Sequence, residues 1–224
     1  MDMERTPRGV EREVVIPVGR ASLDADLALP SEAKGLVIFA HGSGSSRKSP
    51  RNRAVARSLR SDRLGTLLLD LLTRDEERVD LQTRHLRFDI PMLAERLAAA
   101  TAWAKAEPST RALPIGLFGA STGGAAALVA AAMRPDDVRA VVSRGGRPDL
   151  AGDALPVVRA STLLIVGGYD REVLELNREA MAQMTGPVEL EVIPGATHLF
   201  EEEGALDQVA RIAGEFFVRH LGPR

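Results

Sequence analysis

The sequence has no cysteine among its 224 residues, which excludes disulfide bonds, thiolate chemistry and zinc sites with thiolate ligands. It also lacks an excess of charge of one sign: its formal net charge is -2, whereas a nucleic-acid binder usually has a basic face. No apolar run approaches the roughly 20 residues that cross a bilayer, and residues 1–18 have no apolar core of the kind found in a signal peptide. We therefore expect a cytoplasmic protein with neither a nucleic acid nor a membrane as its partner.

Features that would divide the chain are also missing. We find no internal repeat and no linker rich in proline, glycine or serine. The length and the 45% hydrophobic content suit one domain with a sizeable core. We therefore expect a single domain over residues 1–224, with a loose N-terminal segment at 1–11. The sequence leaves open whether this domain forms a homodimer.

The sequence does contain a regular alternation of apolar runs and amphipathic segments. Strands are expected at 13–18, 21–29, 35–40, 66–72, 115–118, 138–143, 162–166 and 188–193, and helices at 52–60, 89–105, 124–133, 172–184 and 206–221. Residues 150–158 predict a short helix or a loop, and residues 73–88 predict a charged, exposed segment. This order favours a three-layer α/β fold, with a mostly parallel sheet, helices on both faces and no cap domain.

The most informative stretch is residues 113–133, LPIGLFGASTGGAAALVAAAM. A short apolar strand leads into a Gly-Ala-Ser-Thr-Gly turn, and an alanine-rich helix follows. A Gly-x-Ser-x-Gly turn between a strand and a helix presents a serine hydroxyl at the top of an α/β sheet, which makes Ser121 the predicted nucleophile. Gly119 and Gly123 would leave room where the strand and the helix nearly touch. The alternative is a tight turn without chemistry.

A serine nucleophile needs a base to take its proton and an acid to orient that base. His198 follows the last predicted strand, where a parallel sheet places its functional loops, and it is the predicted base. Asp170 ends the run LLIVGGYD and is the predicted acid. It could also cap the helix that begins at the next residue, and Asp70 and Asp149 are rival carboxylates. The order Ser121, Asp170, His198 is typical of this triad on such a sheet.

The negative charge that develops on an attacked carbonyl oxygen needs at least two backbone donors. One expected donor is the amide of Thr122, directly after the nucleophile. The other is the amide of Ser43, in the glycine-rich loop that begins at His41. A phosphate-binding loop is the alternative for that stretch, but it has neither Gly-Lys-Ser/Thr nor Gly-x-Gly-x-x-Gly. We interpret His41 as a structural loop residue.

Two arginines follow the predicted strand at 138–143. Arg144 and Arg147 lie in SRGGRPD, at the end of the sheet where the predicted nucleophile lies. An arginine there could hold an anionic group of a substrate, which makes Arg144 a candidate substrate-binding residue. The alternative for both is an ion pair with one of the nearby carboxylates.

Taken together, these motifs resemble the α/β-hydrolase fold superfamily and, within it, the compact proteins related to dienelactone hydrolase. The resemblance runs from about Val14 to Leu221, and it is carried by HGSGSS at 41, GASTGG at 119, GGYD at 167 and PGATHLF at 194. It implies a serine hydrolase with the triad Ser121, Asp170 and His198 and with no cofactor. The dienelactone hydrolases themselves use a cysteine where this sequence has serine, so dienelactone is not implied as the substrate. The stretch SRGGRPDLA also resembles hydrolase-like domains found beside phosphoribosyltransferases.

The sequence therefore predicts an esterase that cleaves a small-molecule carboxylic ester through an acyl-enzyme, with no cofactor and no metal. A thioesterase or short-peptide hydrolase could use the same residues. A non-catalytic binding protein of the same fold is the alternative outside enzymes. Since we see no apolar stretch that would build a groove near the site, short acyl chains are expected to be favoured over long ones.

Overall fold

The chain folds as alternating strands and helices, and the computed structural model describes residues 9–222. The strands are β1 Val10–Val18, β2 Ala21–Leu29, β3 Gly35–Ala40, β4 Leu64–Leu69, β5 Ile115–Ala120, β6 Val138–Arg144, β7 Ser161–Gly167 and β8 Val188–Ile193. The helices are α1 Pro50–Ser61, α2 Arg74–Thr83, α3 Ile90–Ala106, α4 Thr122–Met133, α5 Arg171–Gln183 and α6 Ala205–Leu221. Short 3₁₀ segments occupy Leu86–Phe88 and Pro148–Val157.

All eight strands belong to one sheet, in the order β1-β2-β4-β3-β5-β6-β7-β8. β2 is antiparallel to both β1 and β4, and the remaining pairs are parallel. The carboxyl ends of β3, β5, β6, β7 and β8 therefore lie along the same edge, where functional loops of an open parallel sheet are found. The predicted mostly parallel α/β sheet is confirmed.

The sheet separates two apolar cores. On one face α1 and α6 pack against the sheet, where Phe39 and Phe118 stack with their ring centroids 4.8 Å apart. On the other face lie α3 and α4, together with residues of α5 and of Pro148–Val157. This confirms the three-layer arrangement. Residues 9–222 contain no separate cap domain, and no helix among them combines the length and apolar character needed to cross a membrane.

The first strand begins earlier than predicted. Residues 10 and 11 were expected to be loose, but Val10 pairs with Leu29 and Glu11 pairs with Ala28 of β2. The two strands are in register over their full nine residues, so Val10 and Glu11 gain backbone partners that composition does not reveal. The rest of the predicted loose segment, residues 1–8, lies outside the described residues.

The predicted charged segment at 73–88 is largely helical. The Thr73 hydroxyl accepts a hydrogen bond from the Glu76 amide, and the Glu76 carboxylate accepts one from the Thr73 amide. This reciprocal capping box satisfies two of the free donors at the start of α2. Hydrophobic periodicity did not predict this helix because the segment has few apolar residues, although Thr-x-x-Glu is a recognisable start signal.

The fourth strand ends three residues before the predicted boundary at 72. Asp70, Leu71 and Leu72 consequently lie in the loop at the carboxyl edge instead of inside the sheet. The other predicted elements agree with the structure to within a few residues. Asp89 caps α3 as expected, since its carboxylate accepts a hydrogen bond from the Met92 amide at 3.1 Å.

Candidate active site

Ser121 lies at the tip of a turn between β5 and α4. Its backbone has φ 51° and ψ -123°, a region in which a side chain is strained. The neighbouring glycines explain how the chain reaches it: a Cβ on Gly119 would lie 2.2 Å from the carbonyl oxygen of Gly123, and one on Gly123 would lie 2.4 Å from that of Ala40. The Ser121 hydroxyl does not cap α4, so it remains available for chemistry.

Asp170 and His198 are in direct contact. The Nδ1–H group of His198 donates a hydrogen bond to the Asp170 carboxylate at 2.6 Å. Asp170 does occupy the N-cap position of α5, but its side chain makes no capping hydrogen bond, so the carboxylate is directed to the histidine. This hydrogen bond holds the imidazole with Nε2 free to accept a proton.

Backbone hydrogen bonds between two loops bring this pair together. The Gly168 amide donates to the Ile193 carbonyl and the Tyr169 amide donates to the Ala196 carbonyl, both at 2.9 Å. The loop after β7 is thereby joined to the loop after β8, and the joined loops carry Asp170 and His198. The sheet edge thus brings together two residues that are 28 positions apart in the chain.

Ser121 and His198 line a single cavity, which the loop after β3 also borders. Among the described residues, the Ser121 hydroxyl has no hydrogen-bond partner. Catalytic hydrogen bonds in unliganded sites are often long and tighten when substrate binds. The structure therefore places the predicted nucleophile and the predicted base around one space, without a direct hydrogen bond between them.

Of the two predicted oxyanion donors, Ser43 lines this cavity, whereas Thr122, directly after the nucleophile, lines a neighbouring cavity that Ser43 also borders. Gly42 passes directly against the nucleophile, since a Cβ on it would lie 3.2 Å from the Ser121 Cβ. Ser43 follows it in an exposed position, and Thr122 is the first residue of α4. In the part of the chain that the structure describes, neither the Ser43 amide nor the Thr122 amide donates to another backbone group in a turn, loop or cap. The start of α4 also favours negative charge through its free amides.

His41 has a structural contact on each ring nitrogen. Its Nε2 accepts a hydrogen bond from the Leu71 amide at 3.0 Å, and its Nδ1–H donates to the Gly42 carbonyl at 2.9 Å. Burial lowers the pKa of His41, which keeps the ring neutral. These contacts tie the loop after β3 to the loop after β4, in agreement with the structural role expected for this residue.

The rival carboxylates have other partners. Asp70 accepts a hydrogen bond from the Arg47 amide at 2.7 Å and also contacts the Arg47 guanidinium. Asp149 accepts two hydrogen bonds from Arg147, at 2.9 and 2.7 Å. Among the predicted acids, Asp170 is therefore the one that contacts the predicted base. Arg147 adopts the ion pair that was the alternative to substrate binding.

Arg144 differs sharply from Arg147. It is 7% exposed and lines the cavity that holds Ser121. Its Nε and Nη1 atoms are buried without a hydrogen-bond partner among the described residues. Burial, with a smaller contribution from the like charge of Arg51, lowers the pKa of Arg144 to about 10. The side chain thus keeps its charge at neutral pH.

Two residues of the cavity wall were not singled out from the sequence. Arg51 and Asn52, in the first turn of α1, line the same space as Ser121. Nothing in the local sequence distinguishes them, because only the packing of α1 against the sheet brings them to this cavity. Within residues 9–222, no cluster of three or more His, Asp or Glu side chains is arranged to hold a metal ion.

Comparison with known proteins identifies the family of the chain. The family model described as the dienelactone hydrolase family matches residues 23–216. The crystal structure of a dienelactone hydrolase from Anabaena variabilis superposes with a TM-score of 0.94 at 57% identity, covering 96% of this chain and 100% of that one. The chain belongs to the dienelactone hydrolase family. The resemblance expected from the sequence motifs is confirmed.

Three further matches show relatives and structural neighbours of this member of the dienelactone hydrolase family. Two curated proteins of Mycobacterium tuberculosis, provisionally named as phosphoribosyl transferases, are 54% identical over all 224 residues. The chain spans half the length of these relatives. The Est1E structure from Butyrivibrio proteoclasticus has a TM-score of 0.77 at 19% identity, covering 93% of this chain and 98% of that one, which shows the shared fold.

Proposed function

We propose that the protein is a serine hydrolase that cleaves small carboxylic esters through an acyl-enzyme. The observation that carries this proposal is the 2.6 Å hydrogen bond between His198 and Asp170, at the rim of the cavity lined by Ser121. An oriented imidazole that shares a cavity with a serine whose hydroxyl makes no capping hydrogen bond is an arrangement that can activate that hydroxyl group. Membership of a hydrolase family supports the same conclusion.

In the proposed reaction, Nε2 of His198 accepts the proton of the Ser121 hydroxyl as its oxygen attacks the ester carbonyl. Asp170 stabilises the resulting imidazolium and holds its orientation. The Thr122 and Ser43 amides donate hydrogen bonds to the oxyanion. The tetrahedral intermediate breaks the ester C–O bond, and the alcohol leaves with the proton from His198. Water then attacks the acyl group as His198 accepts one of its protons; the bond between the acyl carbon and Ser121 Oγ breaks, Oγ takes the proton back from His198, and the acid is released.

The shape of the site bears on the acyl chain. The wall of the cavity that holds Ser121 contains the polar side chains of Ser45, Asn52 and Arg51 together with the apolar side chains of Ala120 and Leu199. Burial of each CH₂ group contributes about 0.8 kcal/mol only where an apolar groove receives it. We expect acetyl and butyryl esters to be favoured over decanoyl esters, and kcat/KM for the three measures this. A steady rise in kcat/KM with chain length would contradict it.

A fluorophosphonate probe tests the mechanism independently of the substrate. Wild-type protein should be labelled at Ser121, and His198→Ala should react far more slowly because the serine loses its base. Absence of labelling in folded wild-type protein would favour the non-catalytic binding protein. Matched ester, thioester and short-peptide substrates with one acyl group then separate an esterase from a thioesterase or peptidase.

A further inference from the structure

The cavity beside Ser121 contains a positive charge that has no carboxylate partner in the part of the chain that the structure describes. Arg144 is almost fully buried, and its Nε and Nη1 atoms have no partner within residues 9–222. Leaving a buried charge uncompensated is costly, and buried charges in proteins are ordinarily paired. A side chain in this state, facing the space where the reaction would occur, indicates that its partner comes with the ligand.

The backbone explains why Arg144 faces the reaction centre. It is the last residue of β6 and lies opposite Ala120 in the register with β5. Its carbonyl accepts a hydrogen bond from the Ser121 amide at 3.2 Å. The backbone of Arg144 is therefore fixed one strand away from the nucleophile.

A second cation borders the same space. Arg51 lines the cavity, and its Nε is also buried without a partner among the described residues. Its Nη1 donates to Glu201 at 3.0 Å, and that carboxylate is largely exposed. The charge of Arg51 acts unfavourably on Arg144, so the two guanidinium groups repel each other. An anion between them would relieve this repulsion.

We propose that Arg144 and Arg51 form an anion-binding subsite that takes a carboxylate or phosphate group carried by the ester substrate. The subsite rests on the proposed function, because it assigns a substrate class to that site: esters with an oxyanion on one of their two arms. A guanidinium group binds either oxyanion through two parallel N–H donors. Arg147, three residues further on, does not contribute, since it is bound to Asp149.

Matched substrates test the subsite on each arm. For the alcohol arm the substrates are 4-acetoxybenzoate, 4-acetoxyphenyl phosphate and the uncharged 4-acetoxybenzamide. For the acyl arm they are the mono-4-nitrophenyl ester of adipic acid and the corresponding ester of adipamic acid. The readout is kcat/KM for the charged substrate divided by kcat/KM for its uncharged counterpart. This ratio is compared between wild type and variant, so differences in the intrinsic reactivity of the two substrates cancel. Comparing this ratio for 4-acetoxybenzoate with that for 4-acetoxyphenyl phosphate shows whether the subsite prefers a carboxylate or a phosphate group.

In Arg144→Gln this ratio should fall by about 10- to 100-fold on at least one arm, the worth of hydrogen bonds to a charged group. Arg144→Lys, which keeps the charge but not the planar fork, should recover part of the ratio, and Arg51→Gln should lower it less. Arg147→Gln is the matched control and should leave the ratio unchanged. A ratio that is the same in wild type and Arg144→Gln on both arms would overturn the subsite.

Binding without turnover separates this proposal from the proposed function. In Ser121→Ala, benzoate or phenyl phosphate should raise the Tm, because a ligand of the folded state stabilises it, whereas benzamide should not. The shift should disappear in Ser121→Ala/Arg144→Gln. An equal shift in both proteins, or no shift in the first, rejects the subsite. Failure of wild type to hydrolyse any ester, with the Tm shift intact, rejects the proposed esterase and retains the subsite.

Discussion

The loop at residues 42–45 lies between two cavities that differ in how their charged side chains are paired. On the side of α2, Asp80 is hydrogen-bonded to Arg87 at 2.6 Å and Asp70 contacts Arg47. On the side of Ser121, the buried guanidinium of Arg144 has no carboxylate partner among the described residues. Both regions are at the carboxyl edge of one sheet, so position alone does not account for the difference. The ion pairs on the α2 side stabilise the fold. The unpaired charge of Arg144 lowers the stability of the fold, and binding of an anionic ligand can offset that loss.

The largest expected effect is the loss of activity when Ser121 is removed, which would place the reaction in the cavity that also contains Arg144. Ser121→Ala should lower kcat for ester hydrolysis by about 10⁶-fold, the loss typical when such a nucleophile is removed. The fold should be unaffected, as judged by circular dichroism and Tm. Ser45→Ala, which removes a hydroxyl group from the same cavity wall, is the matched control. Wild-type activity in Ser121→Ala would show that the reaction occurs elsewhere.

Breaking a pair on the α2 side should destabilise the fold. Burial opposes ionisation of Asp80, yet its hydrogen bonds from Arg87 outweigh this and lower its pKa. Asp80→Ala leaves the half-buried guanidinium of Arg87 without its partner, which should lower the free energy of unfolding by about 3 kcal/mol. Asp75→Ala, which removes an exposed partner of Arg78 on the same helix, should cost about 1 kcal/mol or less. If urea unfolding gave equal losses of unfolding free energy for Asp80→Ala and Asp75→Ala, the buried and the exposed ion pair would not differ as expected.

Removing the unpaired charge should have the opposite sign. Arg144→Met keeps much of the side-chain volume and should raise the free energy of unfolding by about 2 kcal/mol, since an uncompensated buried charge is removed. Because the pKa of Arg144 is held near 10 in the folded state, the penalty is fully present below that pH. It should fade as the pH rises from about 10 towards the ordinary arginine value. A stability loss in Arg144→Met, measured beside Arg147→Met, would mean that this charge has a partner inside the protein.

The smallest effect concerns pH dependence on the paired side. The Arg96 hydrogen bond lowers the pKa of Glu76 to about 2, so the ionised carboxylate stabilises the folded state above the ordinary value of 4.5. That contribution is lost as the pH falls from 4.5 towards 2. Glu76→Gln, which can retain the capping box, should lower the free energy of unfolding by about 1 kcal/mol at pH 7 after solvent screening, and by almost nothing near pH 2. Glu77→Gln is the neighbouring control. A Glu76→Gln deficit that is constant from pH 7 to pH 2 would contradict the assignment.

Local sequence was enough for much of the fold and for the order of the predicted site. Short apolar runs bounded by glycine and proline predicted the central strands, because burial on both faces of a parallel sheet requires them. The Gly-x-Ser-x-Gly turn predicted the strained position of Ser121, because its neighbours must lack side chains. Asp170 and His198 followed from their positions directly after strands that end at one edge.

Tertiary structure decided which charges meet. From the sequence, Asp170 was the predicted acid with Asp70 as a rival, and an ion pair was the alternative to substrate binding for both Arg144 and Arg147. The packing of β6, of α1 and of the loop after β7 separated them, since an ion pair depends on distances between residues far apart in the chain. Glu76, at the start of the helix at 74–83, likewise binds Arg96, which lies 20 residues further along the chain. Turn sterics are local and can be predicted from sequence, whereas the partner of a buried charge is determined only when the chain has folded.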